Sequence, residues 1–130
     1  MKRTSIKYLK FKRTLYSHGK KTEKFVAKIH YENQIPFSKL SRRVMDFCTM
    51  TDNEVFLAVG EIERQLEYYL GLGCPVDCGK LGKFFPAIRA KSVDTEKECN
   101  NASIKKFDII WKPSKELKSF CKEVKFDPLY

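Results

Sequence analysis

Apolar positions in the middle of the chain recur with the period of an α-helix. They follow one another at steps of four and three, which places them on one helix face; they are Val55, Val59, Ile62, Leu66 and Tyr69. The hydroxyl of Thr51 can cap the start of this helix, and Pro75 lies beyond its end because proline cannot continue a helix. The pattern predicts a helix over Thr51–Leu70. Its apolar face is wide enough to predict burial on more than one side, and a second copy of the chain is one candidate for the cover.

Alternation with period two near the start of the chain predicts a β-hairpin. Apolar and basic residues alternate over Ile6–Tyr16 and again over Phe25–Tyr31, with the polar segment Ser17–Glu23 between them as the turn. A two-stranded hairpin is marginally stable by itself, so we expect this one to dock on the rest of the molecule.

The remaining pattern predicts two short helices, further strands and a polar arm. In chain order these are a helix Pro36–Phe47, a tight hairpin Val76–Ile88 after the long helix, the arm Arg89–Ser103, a strand Ile104–Trp111 and a helix Glu116–Val124. We assign residues 1–35 to a basic hairpin extension, residues 36–126 to one α+β domain and residues 127–130 to a tail.

The composition is that of a folded protein. The 130 residues are 42% hydrophobic and 13% aromatic, which argues against disorder. No apolar run approaches the roughly 20 residues that a membrane helix needs, and the start of the chain lacks the apolar core of a secretory signal, so we expect an intracellular protein. The five cysteines, at irregular spacings, are most simply free thiols there.

The net charge of +10 is concentrated at the start of the chain. Residues 1–30 hold ten Lys or Arg and one acid, for a net +9, whereas residues 31–130 hold sixteen bases and fifteen acids, for a net +1. Such a field favours a polyanion, with nucleic acid ahead of an anionic membrane surface; the alternative is a solvated face that aids solubility. We predict phosphate contacts for the hairpin cations Lys10, Lys12, Arg13 and Lys28.

Two short motifs carry a resemblance to a known family. One is Gly79-Lys80-Leu81-Gly82-Lys83-Phe84 in the tight hairpin, and the other is Trp111-Lys112-Pro113-Ser114-Lys115-Glu116-Leu117-Lys118 at the last helix. With the order of elements over Pro36–Phe126, they make the chain similar to the HU / integration host factor family of bacterial DNA-binding proteins. The hairpin before the first helix resembles the HU-like subgroup that has such an extension.

The resemblance implies an α+β, HU-like (histone-like) fold, built from two N-terminal helices, a β-saddle with an arm and a C-terminal helix. It also implies an intertwined homodimer, with an interface formed by Val55, Val59, Ile62, Leu66, Tyr69 and Phe84. The implied function is binding of double-stranded DNA without sequence specificity, through the phosphate backbone and minor groove, by a nucleoid-associated protein of the cytoplasm. No cofactor, metal, membrane or small-molecule substrate is implied, and we predict no enzymatic activity.

By the same resemblance, DNA-binding residues are assigned at the turn, at the last helix and along the arm. They are Lys80, Gly82 and Lys83; Lys112, Lys115 and Lys118; and Arg89, Lys91, Lys105 and Lys106.

The arm departs from the family pattern, in which it is rich in arginine and carries a proline at its tip. Ser92–Ser103 contains Asp94, Glu96 and Glu98 and neither proline nor arginine. This favours an alternative function, a dimeric protein-interaction or structural module in which DNA binding is weak or lost. Trp111 could stack on a base, whereas the resemblance implies that it packs in the core at the junction of strand and helix, and we expect packing. Cys74 and Cys78 with His18 or His30 could form a zinc site, but their spacing is not that of a zinc knuckle. Cys48 and Cys78 are expected as small core residues.

Overall fold

The computed structural model describes residues 5–130, so the first four residues of the predicted hairpin extension lie outside the described residues. The elements are β1 (Ser5–Ser17), β2 (Lys20–Ile29), α1 (Phe37–Phe47), α2 (Asp52–Gly71), β3 (Val76–Asp77), β4 (Lys83–Ala90), β5 (Ile104–Lys112), α3 (Lys115–Glu123) and β6 (Lys125–Pro128). The chain divides into two compact units. The first joins residues up to Pro36 to Phe120–Tyr130, and the second is Phe37–Ser119.

The first unit contains a three-stranded sheet in the order β2-β1-β6. β1 and β2 are antiparallel and meet at a two-residue turn, His18-Gly19, where both residues have positive φ, as a tight hairpin turn requires. The predicted turn Ser17–Glu23 is therefore too long. β6 runs parallel to β1 with Phe126 opposite Ile6, whereas the sequence predicted no strand here and assigned this part of the chain to the end of the α+β domain and the tail.

The second unit contains a sheet in the order β3-β4-β5, with α2 against one of its faces. The long helix forms where the sequence predicts it, and the Thr51 Oγ1 accepts a hydrogen bond from the Glu54 N–H at 3.2 Å. Side chains of α2 and the sheet line one apolar groove; they include Leu66, Leu70, Phe84, Phe107 and Ile109. Among the described residues, Val55 and Leu70 are the buried apolar side chains.

The predicted fold class is wrong. The described chain has three helices and six strands divided between two sheets, not two N-terminal helices followed by a β-saddle with an arm and a C-terminal helix. The physical reason is that the hairpin does not simply precede the helices. Its first strand, β1, pairs with β6, so residues from both ends of the described chain form one sheet. The arm also differs, because residues 91–103 form 3₁₀ turns at Glu96–Glu98 and Asn101–Ser103.

Two predicted core positions are not buried. Trp111 has 50% of its surface exposed, and Cys48 is also exposed. In the described chain all five cysteines are free. The predicted interface side chains on α2 are also accessible in the single chain, with Val59 at 44% and Ile62 at 47%. That a second copy of the chain buries these side chains stays a prediction.

Gly82 is a position in the second unit at which a side chain would clash with the backbone. It is buried, has φ +116°, and a Cβ there would lie 2.2 Å from the Lys112 carbonyl oxygen. We expect Gly82→Ala to lower the free energy of unfolding by at least about 2 kcal/mol, measured by urea denaturation. The matched control is Gly60→Ala in α2, where nothing lies within 4 Å, and we expect a gain of about 0.5–1 kcal/mol from higher helix propensity. Equal effects would contradict the close approach at Gly82.

Candidate nucleic-acid interface

The candidate site is built around the turn between β3 and β4. Asp77 Oδ1 accepts a hydrogen bond from the Gly79 N–H at 2.8 Å, and the Gly82 N–H donates to the Gly79 carbonyl at 3.0 Å. Gly79 and Gly82 both have positive φ, which glycine adopts at little steric cost. The turn thus places the backbone of Lys80 and Leu81 between two fixed glycines.

Two side chains fasten this turn to the end of β5 and the start of α3. Trp111 Nε1 donates to the Leu81 carbonyl at 3.0 Å, and the Ser114 hydroxyl donates to the Lys80 carbonyl at 2.6 Å. The same hydroxyl accepts from the Leu117 N–H at 3.2 Å, so Ser114 also caps the helix. None of these hydrogen bonds was predicted from the sequence; the Pro-Ser pair before the helix was the available signal, since both residue types favour helix starts.

Five of the predicted lysines line a single cleft of about 650 Å³ beside this turn; they are Lys80, Lys83, Lys112, Lys115 and Lys118. Lys83 and Lys112 are direct partners in the register of β4 and β5. Like charges directly opposite each other are destabilising, so a bound anion would relieve their repulsion. Two acids, Asp77 and Glu116, also line the cleft, but the five lysines outnumber them, so the lining is cationic on balance.

An aromatic ring lies among these lysines. Phe85 also lines the cleft, and Lys112 Nζ is 4.8 Å from the centroid of its ring. An ammonium over a ring face is attracted to it, which holds the Lys112 side chain beside the cleft.

The predicted arm residues fall into separate environments. Arg89 and Lys106 are register partners on the sheet face that also carries Lys83 and Lys112. Arg89 Nε lies 3.0 Å from Asp108 Oδ2, so its charge is partly compensated. Lys105 falls where the register shifts, and the Lys91 N–H donates to the Ser103 carbonyl at 2.9 Å, beyond the end of β4. None of these four residues lines the cleft.

The carboxylate of Asp108 is stabilised in its charged form. The backbone N–H of Ile109 donates to it at 3.0 Å, and this hydrogen bond is the main cause that lowers the pKa of Asp108 below its usual value. The charges of Lys106 and Arg89 lower the pKa further, whereas partial desolvation opposes them.

The predicted hairpin cations lie in the first unit, on β1 and β2. Arg13 and Lys28 share one face of the sheet, and Lys10 and Lys12 share the other, because successive side chains of a strand alternate. Lys12 Nζ forms an ion pair with Glu23 at 2.9 Å. The structure therefore does not bring the four predicted cations together on one surface.

Neither a metal-ion cluster nor a membrane-spanning helix occurs in the described part of the chain. Across residues 5–130, no three or more His, Cys, Asp or Glu side chains are grouped so that they could hold a metal ion. None of the helices described here combines the length and the hydropathy needed to cross a membrane.

Comparison with known proteins gives a family match and structural matches. Residues 4–128 match the HU-HIG family model, described as an HU domain fused to wHTH, Ig, or glycine-rich motif. The fold is similar to the crystal structure of a protein from Bacteroides vulgatus ATCC 8482, provisionally described as a bacterial DNA-binding protein, with a TM-score of 0.70 and 15% sequence identity. The match covers 98% of this chain and 49% of that one, so the chain spans about half its length. No curated protein matches the chain.

The bridging role of the Ser114 hydroxyl leads to a stability prediction. Ser114→Ala removes the cap of α3 and the hydrogen bond to the Lys80 carbonyl, so we expect a loss of about 1–2 kcal/mol in the free energy of unfolding. Ser119→Ala, an exposed position in the same helix, is the matched control and should change stability by less than about 0.5 kcal/mol. Urea denaturation of both variants measures the difference. Similar losses in the two would show that Ser114 does not fasten the turn.

Proposed function

Because the chain belongs to the HU-HIG family of HU domains, we propose that it binds double-stranded DNA with little sequence preference. The observation that carries this proposal is the cleft in which Lys80, Lys83, Lys112, Lys115 and Lys118 surround the turn Gly79–Gly82. The description of the Bacteroides vulgatus protein as DNA-binding gives further support.

The chemistry of the cleft favours phosphate over base edges. Lysine is a compact point charge that attracts phosphate oxygens without the fixed two-pronged geometry by which arginine reads guanine. Each phosphate that a lysine neutralises releases condensed counterions, which makes the affinity fall with salt. A lysine-lined cleft therefore suits a contact with the sugar-phosphate backbone that is independent of sequence.

Several finer assignments belong to this proposal. They are membership of the HU-like subgroup with an N-terminal hairpin, contact with the minor groove, and an architectural role in the nucleoid of the cytoplasm. We also propose a binding rather than a catalytic role. Because Ser92–Ser103 holds no proline, the proposal does not include a proline wedge inserted between base pairs by this segment.

Self-association is a further part of the proposal. The apolar face of α2 carries Val59, Ile62 and Tyr69, each more than 40% exposed in the single chain. Apolar surface of this extent costs free energy in water. A second copy of the chain would cover it, and a homodimer would double the number of lysine clefts that contact one duplex.

A second candidate function is a protein-interaction role with reduced DNA binding. It is favoured by the three acids Asp94, Glu96 and Glu98 in the segment after β4, which would repel phosphate. Recovery of one specific protein partner in a pull-down that nuclease leaves unchanged, together with failure to bind duplex DNA, would favour this function.

DNA binding is tested by fluorescence anisotropy of a labelled random duplex at several salt concentrations. We expect wild-type binding with a steep salt dependence, and we expect K83Q/K112Q/K115Q to reduce the slope of log affinity against log salt by about 2.7, or about 0.9 for each lost phosphate contact. The control K39Q/K97Q/K122Q removes the same charge from exposed lysines outside the cleft and should leave the slope nearly unchanged. No wild-type binding at low salt and micromolar protein would refute the proposed function.

Self-association is tested by light scattering of an aspartate variant. Val59→Asp places a carboxylate on the apolar face of α2, and burying it in an interface would be costly, so we expect a monomer. Leu57→Asp introduces the same group at an exposed position about 200° away around the helix, and it should keep the wild-type mass. An unchanged mass for Val59→Asp would place the interface elsewhere.

A further inference from the structure

Within residues 5–130, part of the hairpin of the first unit pairs with no third strand. β6 pairs with β1 over Ser5–Tyr8, and beyond that the described sheet consists of β1 and β2. We call the segment from Leu9 to Lys28 the ribbon. Its strands stay in continuous register from Leu9 opposite Lys28 to Ser17 opposite Lys20.

The register divides the charged side chains of the ribbon between its two faces, because direct partners share a face and successive residues alternate. The cationic face carries Arg13, Lys20, Lys24 and Lys28. The opposite face carries Lys10, Lys12 and Lys21, together with Glu23 and Phe25. Two contacts agree with this division: Lys28 Nζ lies 5.1 Å from the Phe11 ring centroid on the cationic face, and Lys12 pairs with Glu23 on the other.

The cationic face holds a pair of like charges that forms no ion pair within residues 5–130. Arg13 and Lys24 are direct register partners, and antiparallel partners of this kind have Cα atoms about 5 Å apart. Glu23, the acid within the ribbon, lies on the opposite face. Like charges directly opposite each other destabilise a sheet, so this face is suited to a bound polyanion that would remove the repulsion.

The dimensions of the ribbon indicate which polyanion fits. Its cations lie at three positions along the ribbon, which are Lys28 opposite Leu9, Lys24 opposite Arg13, and Lys20 opposite Ser17. Neighbouring positions are four residues apart, or about 13 Å, so the three positions span about 27 Å. That is the length of about eight base pairs at 3.4 Å per step. The major groove of B-form DNA, about 12 Å wide, admits a two-stranded ribbon, whereas that of A-form RNA is too narrow.

We propose that the ribbon is a second DNA-binding element, separate from the lysine cleft, whose cationic face lies in the major groove of a duplex. This inference rests on the proposed function, since it names a further surface through which the chain holds the same ligand. Arg13 and Lys24 occupy the middle of the contact, and Lys20 and Lys28 occupy its two ends.

The test compares two triple variants of the full chain that remove the same charge from opposite faces. The affinity for a labelled DNA duplex at about 50 mM salt should fall by at least about tenfold in R13Q/K24Q/K28Q. It should weaken less than about threefold in K10Q/K12Q/K21Q, and a duplex RNA should not distinguish the two variants. R13K/K24R/K28R keeps the charge and should bind like the wild type. Thermal unfolding must give similar midpoints for all three variants.

Equal losses in the two charge-removing variants would overturn the inference, because the hairpin would then act by its net charge. If the R13Q/K24Q/K28Q variant unfolds, the single variants Arg13→Gln and Lys10→Gln make the same comparison. Equal losses of affinity in these two variants would also overturn the inference.

Placement in the major groove has a separate measurement. A duplex whose cytosines carry a glucosylated hydroxymethyl group has a filled major groove and an unchanged charge. We expect wild-type binding to fall on this duplex to the level of R13Q/K24Q/K28Q, which should bind both duplexes alike. Equal wild-type binding to both duplexes would overturn the groove placement. If the wild type binds DNA and K83Q/K112Q/K115Q weakens it while the two ribbon variants behave alike, the ribbon inference fails and the proposed function stands.

Discussion

The candidate site depends on the missing side chain at Gly82. Because no Cβ is present there, the Lys112 carbonyl can lie against the turn, at a place where a Cβ would be 2.2 Å away. That approach brings Trp111 Nε1 within hydrogen-bonding distance of the Leu81 carbonyl and Ser114 within reach of the Lys80 carbonyl. Lysines from the turn, β5 and α3 consequently line one cleft, although about thirty residues separate them in the sequence.

Local patterns in the sequence were sufficient for the three helices and for most of this cleft. The helical period located α2 together with its Thr51 cap, and the two lysine-containing motifs supplied all five cleft lysines. These features depend on residues that are close in sequence, where spacing and propensity are informative. The acceptors of Trp111 and Ser114 could not be found in this way, because a hydrogen bond to a distant carbonyl leaves no local pattern.

The errors arose from long-range pairing and from burial. β6 is four residues long and pairs with a strand more than one hundred positions earlier. Because so short a strand has no clear periodicity, it was not predicted, and the predicted fold class was wrong as a result. Burial of Trp111 was expected from the resemblance and burial of Cys48 from residue type, but burial depends on what covers a side chain. With Val55 and Leu70 as the buried apolar side chains among residues 5–130, the stability of such a chain is coupled to whatever binds its apolar faces.

The parallel pairing of β6 with β1 has a consequence for biosynthesis. A ribosome makes β1 first, and at about 5–20 residues per second the partner strand emerges several seconds or more later. During that interval the backbone groups of Ser5–Tyr8 that face β6 have no strand partner. An open strand edge can pair with other nascent chains, and the lysines of the early hairpin provide charge repulsion against such pairing while the sheet is incomplete.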